Sequence, residues 1–367
     1  MILLLTFIIW LYLAFFHGRF WDSTPELSPA MADAPPDVDI IVPARDEAET
    51  IAPVIASLVN QNYAGTFRVL LVDDGSIDGT ATKAGAHEKL TIVNGQEKPA
   101  GWSGKLWALS QGVKASTAPV ILFADADITH SPMHLSTLVA KMQADNLQMV
   151  SEMVKLNCTS WPEKLLIPAF IYFFQMLYPF SRVNSSHSRT AAAAGGSVLI
   201  KRHALEQIGG LEKIKLALID DVSLAQEVKK TGAIYLGHSG LASSIRRYPA
   251  FKDIWDMIAR TAYTQLRYSP FWLVGTLIGM ALVWLVFVWA TVFTGFGWQS
   301  GLGIAIWAIA ALTYFPTLDR YQVPRLFAVA LPAIALFYMA ATLGSAVNYY
   351  CGSGAKWKSR SYSGTDS

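Results

Sequence analysis

The sequence predicts an α/β domain with a mostly parallel sheet, joined to helices that cross a membrane. Up to about residue 245, short apolar runs that end in acidic or glycine residues alternate with stretches of helical apolar spacing. This alternation is typical of buried parallel strands and their crossover helices. Beyond residue 270, uncharged apolar stretches are long enough to cross a hydrocarbon core of about 30 Å, which needs roughly 20 helical residues.

Strands and helices alternate along the soluble part. Short, mainly apolar runs of four to six residues predict strands, and apolar residues spaced by three and four predict helices. The predicted strands are Val38–Val42, Phe67–Val72, Leu90–Val93, Val120–Phe123 and the run Leu216–Ile219, and the predicted helices are Ile51–Val59 and Lys105–Val113.

Acidic residues follow three of the apolar runs. They are Asp73 and Asp74, Asp125 and Asp127, and Asp220 and Asp221. Ligands bind beyond the carboxyl ends of parallel strands, so we expect these six carboxylates to converge on one cleft. So many carboxylates need cations or hydrogen-bond donors at neutral pH, and a divalent metal with the donor groups of a nucleotide would supply both.

Three stretches after the soluble part are candidate membrane spans: 271–293, 301–318 and 326–349. The second contains Pro316 and is the one whose crossing is doubtful. Residues 1–16 are apolar throughout, and no Lys or Arg precedes them, which favours a retained anchor over a signal peptide. Basic residues flank the soluble region, which predicts that this region lies on the cytoplasmic side of a multi-pass membrane protein.

These patterns predict six segments along the chain. They are a membrane anchor (1–20), a linker (21–37), a cytoplasmic catalytic domain (38–245), an interfacial amphipathic region (246–270), about three transmembrane helices (271–349) and a polar tail (350–367).

Charge and cysteine content exclude some classes of partner. The net charge of +2 is small and dispersed, so nucleic acid is not an expected partner. The two cysteines, Cys158 and Cys351, have no metal-ligand spacing and are predicted to be isolated thiols.

Several motifs, in order and spacing, resemble those of family 2 glycosyltransferases with the GT-A fold. They are Pro43–Glu47, Val72–Ser76 with Asp78–Thr80, Lys105–Leu109, Asp125–Asp127 and the late pair Asp220–Asp221. More narrowly, the chain is similar to bacterial hopene-associated glycosyltransferases. That likeness lies in Trp102–Gly112, Leu166–Phe170, Phe174–Phe180 and Thr190–Gly196.

The resemblance implies a binding site for a nucleotide sugar. It assigns the base of the nucleotide to Asp74 and the ribose to Glu47, and it places Pro43 and Asp73 beside them in the donor site. The alternative for Asp73 and Asp74 is that their side chains only cap a turn. Asp78 is predicted to be such a cap. Lys105, at the start of a helix, would meet the diphosphate, and the alternative is an ordinary surface lysine.

The resemblance also implies a metal and a general base. Asp127 would hold Mg²⁺ or Mn²⁺, and Asp125 would contact the metal or the nucleotide sugar. Asp221 would be the base that removes the proton of the acceptor hydroxyl, with Asp220 in the place of the usual Glu. The alternative for Asp221 is a helix N-cap, with the helix beginning at Val222.

Together these features predict an inverting, membrane-bound glycosyltransferase that moves a sugar from a nucleotide sugar, a UDP-sugar in particular, to a lipid hydroxyl. The resemblance implies hopanoid or glycolipid biosynthesis. A polyprenyl phosphate or a ceramide-type lipid is the alternative acceptor, and a membrane-bound sugar-nucleotide sensor or scaffold is the non-enzymatic alternative. The uncharged aromatic stretch Ile167–Phe180 is predicted to be either core or, preferably, a membrane-surface element.

Overall fold

A computed structural model describes residues 1–351, 356, 357, 360 and 361. The chain divides into two units. Of the described residues, the helical unit contains 1–23, 158–181 and 248–351, and the sheet unit contains 24–157, 182–247 and the four residues 356, 357, 360 and 361. The helical unit thus includes 158–181, a segment that lies inside the predicted catalytic domain of 38–245.

The strands of the described residues begin with β1 (Glu26–Leu27), β2 (Val38–Ala44), β3 (Phe67–Asp73), β4 (Leu90–Asn94), β5 (Val120–Ala124), β6 (Ile128–His130), β7 (Met149–Lys155), β8 (Ser197–Lys201) and β9 (Ile234–Ser244). A short pair follows, β10 (Lys356–Trp357) and β11 (Arg360–Ser361).

The helices of the sheet unit are α2 (Ile51–Val59), α3 (Thr80–Lys83), α4 (Gly104–Ala115), α5 (His134–Ala144), α8 (Arg202–Gln207) and α9 (Asp220–Val228), with a 3₁₀ helix at Leu211–Ile214. Those of the helical unit are α1 (Ile2–Phe15), α6 (Trp161–Leu177), α10 (Phe251–Ala259), α11 (Ala262–Gln265), α12 (Pro270–Trp284), α13 (Val286–Phe293), α14 (Trp298–Arg320) and α15 (Leu331–Tyr350), with a 3₁₀ helix at Arg325–Ala330. The short helix α7 (Phe180–Val183) lies where the two units join in sequence.

Nine strands form the main sheet in the order β1-β9-β7-β8-β5-β2-β3-β4, and β6 pairs with β9. The pairs β1–β9, β7–β9, β5–β2, β2–β3 and β3–β4 are parallel, whereas β8 runs antiparallel to both of its neighbours. The mostly parallel sheet predicted from the apolar runs is therefore present.

The centre of the sheet is apolar because helices cover both faces. All seven residues of β2 and all five of β5 are buried. Helix α4 packs closely on β2 at Gly112, where an added Cβ would lie 2.4 Å from Cγ2 of Ile41. The close approach of α4 places the start of this helix beside the ends of the central strands.

The helical unit contains three helical segments long and apolar enough to cross a membrane. They are Pro270–Phe293, Trp298–Arg320 and Arg325–Tyr350. The doubtful span around Pro316 is thus a continuous helix of 23 residues. Helix α1 has 14 residues, about 21 Å in length, and packs within the same unit, where the Trp10 indole donates to the carbonyl of Val283 at 2.9 Å.

Three sequence-based expectations differ from the structure. The linker of 21–37 contributes β1 to the sheet, because Glu26 and Leu27 pair with His238 and Ser239. The run Leu216–Ile219 is an irregular connection and not a strand. The prediction was wrong because a run of only four apolar residues does not distinguish a strand from an irregular segment. The stretch Ile167–Phe180 is mostly core of the helical unit, where the buried Tyr172 donates to or accepts from Thr313 at 2.8 Å.

Candidate active site

The acidic residues of two predicted pairs meet at the carboxyl ends of the central strands. Asp125 follows β5, and Asp220 begins α9. Between them lies the ammonium group of Lys105, whose Nζ is 2.8 Å from Oδ1 of Asp125 and 3.3 Å from Oδ2 of Asp220. Lys105 stands in the first turn of α4, which Ser103 caps. The reading of Lys105 as an ordinary surface residue is therefore wrong.

Lys105 remains charged in this setting. Burial lowers its pKa, but the carboxylates around it raise the pKa by more, and the net shift is upward. The pKa of Asp125 is also raised, because burial and the neighbouring Asp127 raise it by more than Lys105 lowers it. The cleft is thus strongly acidic and holds one cation at its centre.

A second cation reaches the cleft from the end of β9. The Arg246 guanidinium binds Oδ2 of Asp127 at 2.5 Å and Oε1 of Glu47 at 3.0 Å. Arg246 is the first residue of the predicted interfacial region (246–270), and the structure places its side chain among the acids of the site. Nothing in the local sequence indicates this pairing, because Arg246 and Asp127 lie 119 residues apart.

Asp221 has a different set of neighbours. Its Oδ2 accepts a hydrogen bond from the backbone N–H of Gly195 at 2.7 Å, and its Oδ1 accepts one from the N–H of Val222 at 2.7 Å. The helix begins at Asp220, so Asp221 lies in its first turn and is not its N-cap. The carboxylate borders a cavity whose apolar wall is formed by Leu106, Leu109, Phe123, Val198, Leu211, Ile214 and Leu224.

The surroundings of Asp221 favour its protonated form. Burial and the adjacent Asp220 carboxylate raise the pKa of Asp221 to about 7, although Lys105 and the two N–H donors oppose the shift. A carboxylate with a pKa near the working pH is well suited to remove a proton from a hydroxyl group. Among the acids of the cleft, Asp221 has the surroundings expected of a base.

The ends of β2 and β3 and the loops after them contain the remaining predicted site residues. Asp78 caps the turn as predicted, because its carboxylate accepts from the N–H groups of Thr80 and Ala48 at 3.0 and 2.9 Å. Asp73 caps a turn as well and accepts from the N–H of Ser76 at 2.9 Å. Asp74 is fully buried, and its Oδ2 lies 3.6 Å from the guanidinium of Arg45. Pro43 lines the same cavity as Lys105 and Asp125.

The residues of the cleft suit a hard divalent cation. Among the described residues, no group of three or more His, Cys, Asp or Glu side chains is arranged to hold a metal. Asp125 and Asp127 nevertheless offer carboxylate oxygens alone, which is the donor chemistry that Mg²⁺ and Mn²⁺ prefer. A bound diphosphate would add the remaining oxygen ligands. The donor set therefore fits a metal that binds together with a nucleotide.

Residues 39–209 match the sequence model of the Glycosyl transferase family 2 family. An N-acetylglucosaminyltransferase of Mesorhizobium japonicum is 32% identical over 133 residues, which are 34% of this chain and 31% of the relative. A beta-monoglucosyldiacylglycerol synthase of Nostoc sp. is 23% identical over 251 residues, which are 61% of this chain and 52% of the relative. The chain thus spans about a third to a half of the length of these relatives.

One solved structure is similar over nearly the whole chain. It is the mannosyltransferase PcManGT of Pyrobaculum calidifontis in complex with GDP-Man and Mn²⁺. The two share a TM-score of 0.54 at 19% identity, over 95% of this chain and 99% of the other. At this identity the likeness concerns the fold, and it confirms the predicted α/β architecture.

Proposed function

We propose that this chain, in which residues 39–209 form a family 2 glycosyltransferase domain of the GT-A fold, transfers a sugar from a nucleotide sugar to the hydroxyl group of a membrane lipid with inversion at the anomeric carbon. The observation that carries the proposal is the carboxylate of Asp221. It has neutral hydrogen-bond donors, a pKa raised to about 7 and a position beside Lys105 and Asp125 in one cleft. Such a group can accept a proton at neutral pH.

The proposed reaction uses these groups in a simple order. Asp221 removes the proton of the acceptor hydroxyl as its oxygen attacks the anomeric carbon of the donor sugar. The bond from that carbon to the diphosphate oxygen breaks, and the nucleoside diphosphate leaves with the electron pair. Lys105 stabilises the negative charge of the diphosphate, because a cation at the opening of a helix adds to its N–H donors. Asp221 keeps the proton until solvent removes it.

We propose that Asp127 and Asp125 hold Mg²⁺ or Mn²⁺ when the nucleotide sugar is bound. The metal supplies additional positive charge for the departing diphosphate. In the structure Arg246 forms an ion pair with Asp127, so its guanidinium and the metal would compete for the same carboxylate. The similar mannosyltransferase is in complex with GDP-Man and Mn²⁺, which supports a divalent metal but does not identify its ligands.

The donor side of the proposal assigns the nucleotide base to Asp74 and the ribose to Glu47, as the family resemblance implies. Both side chains stand next to arginines in the structure, Asp74 beside Arg45 and Glu47 beside Arg246. A UDP-sugar is our choice of donor. The segments after β2 and β3 are joined by hydrogen bonds from backbone N–H groups to side chains, such as that from the N–H of Glu47 to the hydroxyl of Thr80 at 2.9 Å.

A lipid acceptor fits a catalytic domain that belongs to the same chain as membrane-spanning helices. Three helical segments are long and apolar enough to cross a bilayer, and we propose that they do so in the bacterial inner membrane, with the sheet unit in the cytoplasm. A glycolipid synthase is among the relatives, which supports this class of acceptor. A hopanoid hydroxyl is the acceptor that the sequence motifs favour.

The test is transfer by the full-length protein in nanodiscs that contain bacterial lipid extract. A panel of radiolabelled UDP- and GDP-sugars is offered with Mn²⁺, with Mg²⁺ or with excess chelator. We expect one UDP-sugar to label a lipid-extractable product, and only when a metal is present. Label in water-soluble alcohols or proteins at equal rates would refute the lipid acceptor. Tight donor binding without any transfer would instead favour the sensor or scaffold.

A further inference from the structure

One tight turn connects the two acidic pairs of the cleft. It spans Ala194–Ser197, just before β8, and is closed by a contact of 3.5 Å from the N–H of Ser197 to the carbonyl of Ala194. Inside this turn the N–H of Gly195 donates to Asp221, and the carbonyl of Gly196 accepts from the N–H of Asp125 at 3.2 Å. A displacement of the turn therefore displaces groups that hold both acids.

The turn is anchored from within the sheet by one buried hydroxyl group. Ser151 lies in β7 and is fully buried. Its Oγ accepts from the N–H of Ala194 at 2.9 Å and donates toward the carbonyl of the same residue at 3.1 Å. A second anchor is the hydroxyl of Ser197, which lies 3.0 Å from Nε2 of the buried His134. The turn is thus held at both ends.

The turn also requires a residue without a side chain at its tip. A Cβ at Gly195 would lie 3.2 Å from Oδ2 of Asp221 and 3.4 Å from Nζ of Lys105. The first distance is shorter than most Cβ contacts, so a methyl group would push the Asp221 carboxylate aside by a few tenths of an ångström, whereas the distance to Lys105 is an ordinary van der Waals contact. Glycine lets the backbone approach Asp221 closely enough to donate its N–H.

We propose that Ser151 and Gly195 are positioning residues for the base: Ser151 fixes the turn, and the turn presents the N–H of Gly195 to the Asp221 carboxylate. This inference rests on the proposed function, since it takes Asp221 to be the base. The hydrogen bond fixes the orientation of the carboxylate and favours its charged, proton-accepting form. The charged groups that face Asp221 are Asp220 on the same helix and Lys105 on α4, and the turn adds a neutral donor from a third direction.

The test compares Ser151→Ala and Gly195→Ala with the wild-type protein and with Ser136→Ala. Ser136 is a matched control, because its buried hydroxyl also accepts a backbone N–H, that of Ala32 at 3.0 Å, but lies outside this network. The assay uses full-length protein in nanodiscs of bacterial lipid extract, with Mn²⁺ and the nucleotide sugar that the panel selects. Donor affinity is measured separately by equilibrium binding.

We expect both network variants to lower kcat about tenfold, which corresponds to one hydrogen bond, and to leave the Kd of the donor within about twofold. The acidic limb of the pH–kcat/KM profile should move upward by about half a unit, because the charged form of Asp221 loses stabilisation. Ser136→Ala should move neither quantity. If Ser151→Ala fails to fold, Gly195→Ala, whose Cβ lies at the edge of the cavity, carries the test.

Failure of this inference and failure of the proposed function give different results. If Gly195→Ala keeps the wild-type kcat and pH profile while Asp221→Asn is inactive, the positioning role is refuted and the base remains. If Asp221→Asn itself keeps full activity, the assignment of the base is refuted. A loss of donor affinity equal to the loss of kcat in Gly195→Ala would make the turn a part of the donor site and would also overturn the positioning role.

Discussion

Two aspartates at opposite ends of the same sheet, the buried Asp39 and the half-buried Asp221, have pKa values shifted in opposite directions. Asp39, near the start of β2, is exposed by only 2%, and its carboxylate accepts hydrogen bonds from Arg68, Ser116, Thr117 and Ala118. Burial would raise its pKa, but these donors lower it to about 2. Asp221, beyond the carboxyl ends of the strands, has two backbone donors and a like charge beside it, and its pKa is raised to about 7.

The difference separates a stabilising acid from a reactive one. At the amino end of the sheet the fold supplies enough donors to keep a carboxylate charged and inert. At the carboxyl end it supplies fewer donors and adds Asp220, so Asp221 binds a proton readily. Replacing each aspartate by asparagine, which has nearly the same shape, should therefore affect activity at one end and stability at the other.

The largest expected effect is on turnover. Asp221→Asn should lower kcat by about 10²- to 10⁴-fold, because the amide cannot accept the proton of the acceptor hydroxyl. The Kd of the nucleotide sugar should change by less than about threefold. Both quantities are measured with the same protein preparation, by radiolabel transfer and by equilibrium binding. A donor affinity that falls in parallel with kcat would show that Asp221 binds the donor instead.

The next effect is on stability. Asp39→Asn should lower the free energy of unfolding by about 2 kcal/mol at pH 7, because the Arg68 guanidinium loses its anionic partner. Since the folded pKa lies below the unfolded value, the wild-type contribution is fully present above about pH 4 and is lost as the pH falls towards 2. The difference between the two proteins in thermal unfolding should shrink accordingly in acid. If wild type and Asp39→Asn differed by the same amount in thermal unfolding at pH 3 and at pH 7, the lowered pKa of Asp39 would not be the source of the stabilisation.

The pH dependence of activity should report the base. In the free enzyme, kcat/KM should fall about tenfold per unit below pH 7, since only the ionised Asp221 accepts a proton. Asp220→Asn removes the like charge that raises this pKa, so its acidic limb should move to lower pH. A limb that stays in place in Asp220→Asn, or a flat profile down to pH 5, would contradict the electrostatic account.

The smallest expected effect is a gain in stability at the reactive end. The folded state binds the proton of Asp221 more tightly than the unfolded state does, so the charged wild-type residue destabilises the fold above pH 7. Asp221→Asn should raise the free energy of unfolding at pH 8 by about 1 kcal/mol, opposite in sign to Asp39→Asn. Thermal unfolding at pH 5 and pH 8 checks this, because the gain should be smaller at the lower pH.

The sequence predicted those features that depend on neighbours along the chain. Central strands such as Val38–Val42 and Val120–Phe123 are recognisable because a strand buried on both faces is continuously apolar. The cap at Asp78 and the helix that begins near Lys105 depend on residues within one or two turns. Helix α14 has the length and apolar character of a membrane span, although Pro316 had made the predicted crossing of 301–318 doubtful.

Features that depend on distant parts of the chain could not be predicted in the same way. Arg246 reaches Asp127 only because the end of β9 pairs with β6, the strand that directly follows Asp127. The segment Thr190–Gly196 is one of the motifs that carry the family resemblance, but the hydrogen bond from Gly195 to Asp221 depends on the tertiary arrangement of β8 and α9. The apolar run Leu216–Ile219 resembles a strand by composition alone, and nothing local shows that it has no partner strand.

The division of the chain into two units has a consequence for biosynthesis. The polypeptide changes unit after residues 23, 157, 181 and 247, so neither unit corresponds to one continuous stretch of the gene. Helix α6 is translated before α10, α14 and α15, with which it packs. Until those helices emerge from the ribosome, lipid or a chaperone must cover its apolar face. A soluble fragment for expression therefore requires that residues 158–181 be replaced by a polar linker, and not only that the later helices be deleted.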